Sequence, residues 1–566
     1  MAQLELRRLT SAAPQALRDI LDGKRGPVEP PIRSEVFGLQ RFAQHGHSLG
    51  ETHRAAASTS RTATFFPRLR SNIRTLREAH RYIGVQAATG YDVSPAAEWL
   101  LDNFHVIEAQ LKEIHDGLPR SYFRTLPVLL DEPLAGLPRV YGVAWAFVAH
   151  TDGAFDEDLL MQFLSAYQET RELNLSEMWA LPTTLRVVLI ENLRRLAERV
   201  ASNKAAREVA NLCSDQIETF SLNALDELLA RLNQRGVGRV FLAQMAQRLQ
   251  DLPATAHSRY NEWLHAALPD LAAMQSQQIA DQAADNLSVS NAVTSLRAIG
   301  DADWPDIICR TSALMQLMLT SKVFEAEHAA TRDQTLHGIE RLARSAGRSE
   351  MSVAHTLLDM MQSSAGTDRP TAVADHWLRG AGRPALVRAL GLSERAALRA
   401  AALATWPWRR LVRRFGLPLY LASLLVGTLV LVAWLLADAS GASSGRAGDL
   451  AWVLAAALLM LFPASEAVVA VINRLISESA RPRHLPRLAL ANGIPPEHRA
   501  MVVIPALLSD DASIDALVHR LELHHLANPE RHAQFALLSD WADAPTAQVE
   551  SDQALLARAT RLIGAL

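Results

Sequence analysis

The sequence predicts a mainly α-helical protein with a two-helix membrane hairpin, closing on a short α/β unit. Three observations predict it. Between Trp406 and Arg487 two apolar segments, 417–437 and 450–472, are bracketed on their outer sides by arginines. Before them, from about Ser34 to Ala404, Ala, Leu, Arg and Glu dominate and apolar residues recur at spacings of three and four, the helical period. After them the pattern changes to strand, helix, strand and helix in quick succession.

The first apolar segment holds no ionisable side chain except Tyr420, and the second is interrupted only by Glu466. At about 1.5 Å per residue each is long enough to cross a bilayer as a helix. Arg409, Arg410, Arg413 and Arg414 precede the first, Arg474, Arg481, Arg483 and Arg487 follow the second, and the connection 438–449 holds only Arg446. Cationic residues stay on the cytoplasmic side, so both large flanks are expected in the cytoplasm. The competing reading is a buried hairpin in a large soluble protein, but such helices seldom run so far without a charge. Transmembrane helices are therefore expected at 415–437 and 450–473, after an N-terminal segment 1–33 and a helical cytoplasmic region 34–408, and before an α/β unit at 499–566. Glu466, just beyond Pro463, either lines a polar path or pairs with another helix, or it reaches headgroup water from near the cytoplasmic edge.

At 566 residues the chain is too long for one core. Its 57 basic residues against 60 acidic ones argue against bulk nucleic-acid binding, which needs a basic surface. Residues 1–25 carry scattered charges and lack the apolar core of a secretory signal. Cys213 and Cys309 stand alone, without the spacing of a disulfide framework or a zinc site.

Within the helical region Leu185, Leu189, Leu193, Leu196 and Val200 form one apolar stripe, with Glu191 four residues before Arg195 on the wet side. Ser94 before Pro95 reads as an N-cap with proline at the first helical position, opening a run from Ala96 to Ile114 that stops near Gly117 and Pro119. Segments 288–299 and 333–346 read the same way. The Leu, Trp and Val stripes across 94–196 leave too much apolar surface for isolated helices. They should pack together and bury Trp99, Trp145 and Trp179.

In the C-terminal part, 501–508 and 534–539 read as strands and 513–526 and 552–562 as helices. Strand, helix, strand is the start of a parallel α/β unit. Parallel sheets need cover on both faces, so the unit reads as cut short at Leu566. Ligands of such sheets bind at the carboxyl ends of strands, and Asp540 immediately follows the second one. A carboxylate there can accept hydrogen bonds from a nucleotide's ribose or base, and Asp543 can add to it; equally, both aspartates suit the turn. His45, His47, Glu51 and His53 lie within nine residues but match no motif of the His-Glu-x-x-His kind, so a metal site is not expected there. His524 and His525, about 100° apart on a helix, read as a solvated pair. No Gly-rich phosphate loop or nucleophile elbow occurs in the helical region, which therefore reads as a scaffold or interaction module, and no metal site is assigned.

Three stretches of that region, SPAAEWLLDNFHVIEAQLKEIHDGL (94–118), PRVYGVAWAFVAHTD (138–152) and SEMWALPTTLRVVLIENLRRLA (176–197), resemble the N-terminal region of bacterial cyclic β-1,2-glucan synthases. The resemblance continues through VSNAVTSLRAI, ATRD, FPASEAVVAVINRL and GIPPEHRAMVVIPALL, and is looser across 306–325. It implies a large enzyme of the bacterial inner membrane, with both termini of this chain cytoplasmic and a processive, GT-A-type glucosyltransferase that takes UDP-glucose and a divalent metal, Mg or Mn. The partners implied are the lipid bilayer, the nucleotide sugar and the growing glucan, with no nucleic acid. On this reading QFALLSDWADA opens the glucosyltransferase domain, and Asp540, with Asp543 beside it, is its first nucleotide-binding aspartate. The family's downstream metal, base and acceptor motifs do not occur, so the chain as written should be catalytically incomplete. The alternative is a non-catalytic, membrane-tethered helical scaffold or regulatory fragment.

Overall fold

The computed structural model describes residues 26–56, 65–88, 93–117, 119–123, 125–217, 220–250, 258–267, 270–363, 369–392, 407–442, 450–479, 485–547 and 549–566. The chain divides into two compact units, Met1–Met318 with Ser349–Ala354, and Leu319–Arg348 with His355–Leu566. Most described residues are helical.

The first unit contains α1 (Leu39–Thr52), β1 (Ala55–Ala56), α2 (Phe65–Ala88), α3 (Pro95–Asp102), α4 (Phe104–Gly117), β2 (Val128–Leu129), α5 (Arg139–His150), α6 (Glu157–Thr170), α7 (Leu175–Asp215), α8 (Leu222–Arg235), α9 (Gly238–Gln250) and α10 (Leu271–Asp301), with shorter helices between them. α7 is its spine, 41 residues and about 60 Å long. Glu177 opens it by accepting from the Asn174 N–H at 3.0 Å. α2, α5, α9 and α10 all pack against it, and Leu185, Leu189, Leu193 and Leu196 are buried as the stripe predicts. The distal half of α7 carries a second core, in which Val209 and Cys213 meet Leu225, Leu228, Phe241 and Met245. α1 lies on α6 at close range: a Cβ on Gly46 would stand 2.6 Å from the Phe163 carbonyl oxygen, so only glycine permits the contact.

Four expectations differ from the structure. Glu191 and Arg195 are not on a wet face: Glu191 is 1% exposed, because α2 and α5 cover the side of α7 that bears it and supply its hydrogen-bond donors. Trp99 and Trp179 are 37% and 38% exposed, and Trp145 is partly buried with the Arg195 guanidinium 4.9 Å above its ring. The run expected from Ala96 to Ile114 is broken at Asn103, which separates α3 from α4. Ser94 does stand at the N-cap position of α3, with Pro95 first in the helix, but its side chain makes no capping bond. Ser288 starts nothing; it lies in mid-α10, fully buried, and donates to Asp152.

The second unit contains α11 (Ala329–Ala346), α12 (Pro407–Ala442), α13 (Leu450–Ser479), β3 (Ala500–Leu508), α14 (Asp511–Ala527), β4 (Ala533–Trp541) and α15 (Glu550–Gly564). α12 and α13 pack on each other. Their stretches Phe415–Asp438 and Val453–Glu478 are long and apolar enough to cross a membrane, and nearly all of their surface is uncovered by protein. The contact is close at Gly427, where a Cβ would meet Val468 Cγ1 at 2.8 Å, and Thr428, Val432 and Ala464 are buried beside it. Tyr420 donates to Asn473 Oδ1 at 3.0 Å. α12 kinks at Phe415, three residues before Pro418, whose ring obstructs the preceding turn. Arg409, Arg410, Arg413 and Arg414 fall within α12 ahead of the kink, whereas Arg446, Arg481 and Arg483 lie outside the described residues.

β3 and β4 pair in parallel, from Ala500 opposite Ala533 to Leu508 opposite Trp541. The strand–helix–strand reading is thus borne out, with each element one to three residues longer than the sequence pattern suggests. α14 and α15 cover one face, where Leu508, Ile514, Val518 and Ala559 form a small core. Alternate residues point to the other face. That face presents Met501, Val503, Leu507 and Leu538, all exposed.

Candidate functional site

The candidate site is the carboxyl end of the β3–β4 pair. A shallow depression of about 470 Å³ is lined there by Pro505, Ala506, Leu507, Leu538, Ser539 and Asp540. Asp540 does not follow the strand, as the sequence suggested. It is the penultimate residue of β4, paired with Leu507, because Trp541 still belongs to the ladder and packs on the small core. By register its side chain shares the uncovered face with Leu507 and Leu538. Asp540 is exposed, and its Oδ1 accepts from the Trp541 N–H at 2.8 Å, a local bond that leaves Oδ2 available to a ligand. Asp543 lies two residues beyond the strand in the exposed loop before α15.

At the end of β3 the chain enters α14 through Asp510, which the sequence reading passed over. Its Oδ1 accepts from the Ser513 N–H at 2.9 Å and its Oδ2 from the Ser513 hydroxyl at 2.7 Å. The Ser513 N–H, then the Ser513 and Ser509 hydroxyls, hold the Asp510 carboxyl below the usual carboxylate range. The signal was present as an aspartate three residues ahead of a serine at a helix start. Asp510 is a helix cap, so its carboxylate is already engaged. α15 is tied to α14 by Arg558, whose Nη2 meets Asp515 Oδ2 at 2.8 Å.

Among the described residues no group of three or more His, Cys, Asp or Glu side chains converges as a metal site needs. Asp540 and Asp543 do not by themselves fit a divalent metal. The histidines near the N-terminus disperse. His45 packs against the Phe37, His150 and Phe163 rings, His47 faces Glu51 at 3.6 Å, and His53 Nδ1 lies 3.0 Å from the Tyr167 hydroxyl. Burial, reinforced by Arg139 and Arg171, pushes the His53 imidazole down to about 4. His524 and His525 are both exposed on α14, the latter edge-on to Phe535. Glu466 is exposed on α13; Ala464, two residues earlier and about 200° around the helix, is the one buried at the α12 contact, so Glu466 is turned away from α12.

The largest charged assembly lies in the first unit and was not legible as such. Glu191 accepts from Arg68 Nε at 2.9 Å, Asn72 Nδ2 at 2.9 Å, Tyr141 Oη at 2.7 Å and Arg195 Nη2 at 2.9 Å. Burial alone would raise its carboxyl, but Arg68 above all, with Tyr141 and Arg195, holds it at about 2. The same arginine cluster secures residues 26–33 as an extended strap. Arg195 Nη1 donates to the Pro30 carbonyl at 2.9 Å, Arg235 to that of Gly26, and the Val28 and Ile32 N–H groups donate to Arg235 O and Asn192 Oδ1. Each of these side chains bonds to protein, although Arg195 Nε, Arg235 Nε and Asn192 Nδ2 are buried without a partner, and the bonds serve to hold α2 and the strap on α7.

A mainly helical chain with two long apolar helices and a parallel strand pair behind them is the setting in which the comparisons fall. No family model matches the chain. It is homologous to the N-terminal part of a cyclic β-glucan synthase, which bears out the resemblance. That relative is the cyclic β-(1,2)-glucan synthase NdvB of Rhizobium meliloti (strain 1021), 30% identical over 565 residues that take in 96% of this chain. The chain spans 19% of the length of this curated relative.

Proposed function

We propose that this chain serves as the N-terminal portion of a membrane glucosyltransferase that builds cyclic β-1,2-glucan from UDP-glucose. The observation that carries the reading is the alignment with NdvB along nearly the whole chain, through both apolar helices and into the strand pair. On this reading 34–408 is a cytoplasmic helical region, α12 and α13 cross the inner membrane, and 499–566 opens a GT-A-like domain. Asp540 accepts a hydrogen bond from the nucleotide, with Asp543 beside it at the mouth of the strands, the place where open α/β sheets receive their ligands. An aspartate at one strand end holds part of a nucleotide. Displacement at the anomeric carbon also needs a base and charge stabilisation around the departing diphosphate, which these residues do not supply.

The test is a chimera in which this chain replaces the matching region of the Rhizobium synthase. Its membranes, given labelled UDP-glucose, should make cyclic glucan, and the Asp540→Ala chimera should make at least about tenfold less at equal protein level, the loss of one charged hydrogen bond. An inactive chimera that is correctly inserted and folded would favour the non-catalytic scaffold. Undiminished synthesis by Asp540→Ala would return that aspartate to turn chemistry.

A further inference from the structure

Beyond the site, the second unit contains a junction whose parts are unusual together. Beyond α13, residues 487–489 lie against the segment that leads into α11. Glu327 and Leu488 form an antiparallel bridge, flanked by His328 N–H to the Arg487 carbonyl at 2.8 Å and Ala489 N–H to the Ala326 carbonyl at 2.9 Å. Arg487 N–H adds a bond to the Thr331 hydroxyl at 3.1 Å. With the bonds on the flanking residues, Glu327 and Leu488 are the closely spaced kind of pair, whose side chains lie against each other. Glu327 is 2% exposed, and its buried Oε2 has no hydrogen-bond partner. Just past the bridge Leu490 sits at φ +50°, a left-handed conformation that an L side chain adopts at a cost.

We infer that the Glu327–Leu488 bridge is a proton-operated latch on the segment leading out of α13, closed while Glu327 is neutral and opened when Glu327 ionises. A neutral carboxyl tolerates this enclosure, whereas a carboxylate without a hydrogen bond does not, and only opening returns it to water. The charged groups that face it differ in sign, and the acid outweighs the base. Asp375, from the short helix Ala374–Leu378, repels a charge on Glu327 and is itself held by Arg379 at 3.3 Å. Arg332 on α11 favours the charge from a distance, but its buried Nε bonds to nothing, and on the linker Arg487 joins the bridge through its main chain. Burial first, then Asp375, push the Glu327 carboxyl up from the ordinary 4.5 to about 7. Because the latched value is the higher one, the closed state is fully favoured below the ordinary value and is lost as pH rises through about 7.

Hydrogen–deuterium exchange of the full chain in detergent tests this, with rates corrected for the intrinsic effect of pH. The amides of His328 and Ala489 should lose protection on the order of 100-fold between pH 5 and pH 8.5, given the size of the shift. Peptides from α7 should hold theirs. Glu327→Gln, neutral and of the same shape, should stay protected throughout. Asp375→Asn should move the midpoint to lower pH, and this variant decides the matter if Glu327→Gln does not fold. Flat protection in the unaltered chain, an unchanged transition in Glu327→Gln, or an unmoved midpoint in Asp375→Asn would each overturn the latch.

Discussion

At the scale of single residues, the first unit owes much of its specificity to buried charge. Glu191 is almost completely enclosed and shared among four donors. Removing such a carboxylate leaves the buried Arg195 and the half-buried Arg68 without it, so Glu191→Ala should destabilise the unit by about 3–5 kcal/mol, read as a lower unfolding midpoint in Trp145 fluorescence. The pH dependence has a defined sign. The Glu191 carboxyl is depressed from 4.5 to about 2, so its contribution is present above 4.5 and is lost as pH falls toward 2, a span worth about 3 kcal/mol. His53 is a base held neutral, at about 4 against 6.5, so its contribution is present above 6.5 and is lost as pH falls through about 4. Acid unfolding should therefore begin with His53 and steepen with Glu191. Replacing His53 by Phe should flatten the stability profile between pH 6.5 and 4, and an unchanged slope would show that His53 is not the group being titrated.

At the scale of elements, the contact between α12 and α13 turns on Gly427 and Val468. Gly427→Ile should force the helices apart at a cost of about 1–3 kcal/mol, and Val468→Ala should restore them. Cysteines introduced at Tyr420 and Asn473 give the measurement, since their cross-linking should slow in the first variant and recover in the double one. For the helical region, acrylamide should quench Trp99 and Trp179 readily and Trp145 much less. The contrast among these tryptophans shows where sequence stops informing. The period of the Leu185–Val200 stripe marks one buried face of α7 and does so correctly. It is silent on the opposite face, where α2 and α5, distant in sequence, enclose Glu191. An i,i+4 Glu–Arg pair reads as solvated because most are; only the long-range donors Arg68, Asn72 and Tyr141 make this one interior. The strand–helix–strand unit was legible because its order is local. Asp540's place within β4 depends on Trp541 packing on α14 and α15, which no local pattern records.

At the scale of the whole molecule, the proposed topology predicts where each part of the chain meets solvent. An enzyme active only in the periplasm, fused at Ser443, should give signal, and fusions at Ala400 or Ala500 should not, because arginines mark the outer ends of the hairpin. The opposite pattern would end the assignment of both flanks to the cytoplasm. The strap over α7 carries a different kind of consequence. Its anchors at Gly26, Val28, Pro30 and Ile32 are main-chain atoms, and Glu29 adds a carboxylate that meets Arg194 Nη2 at 2.7 Å and Arg195 Nη2 at 2.9 Å, so the cluster recognises spacing and a single acid. Across related chains this stretch should keep its length, the acid at Glu29 and the buried apolar side chain at Ile32 while its other letters drift, and deleting one residue from it should do more damage than exchanging several of those others.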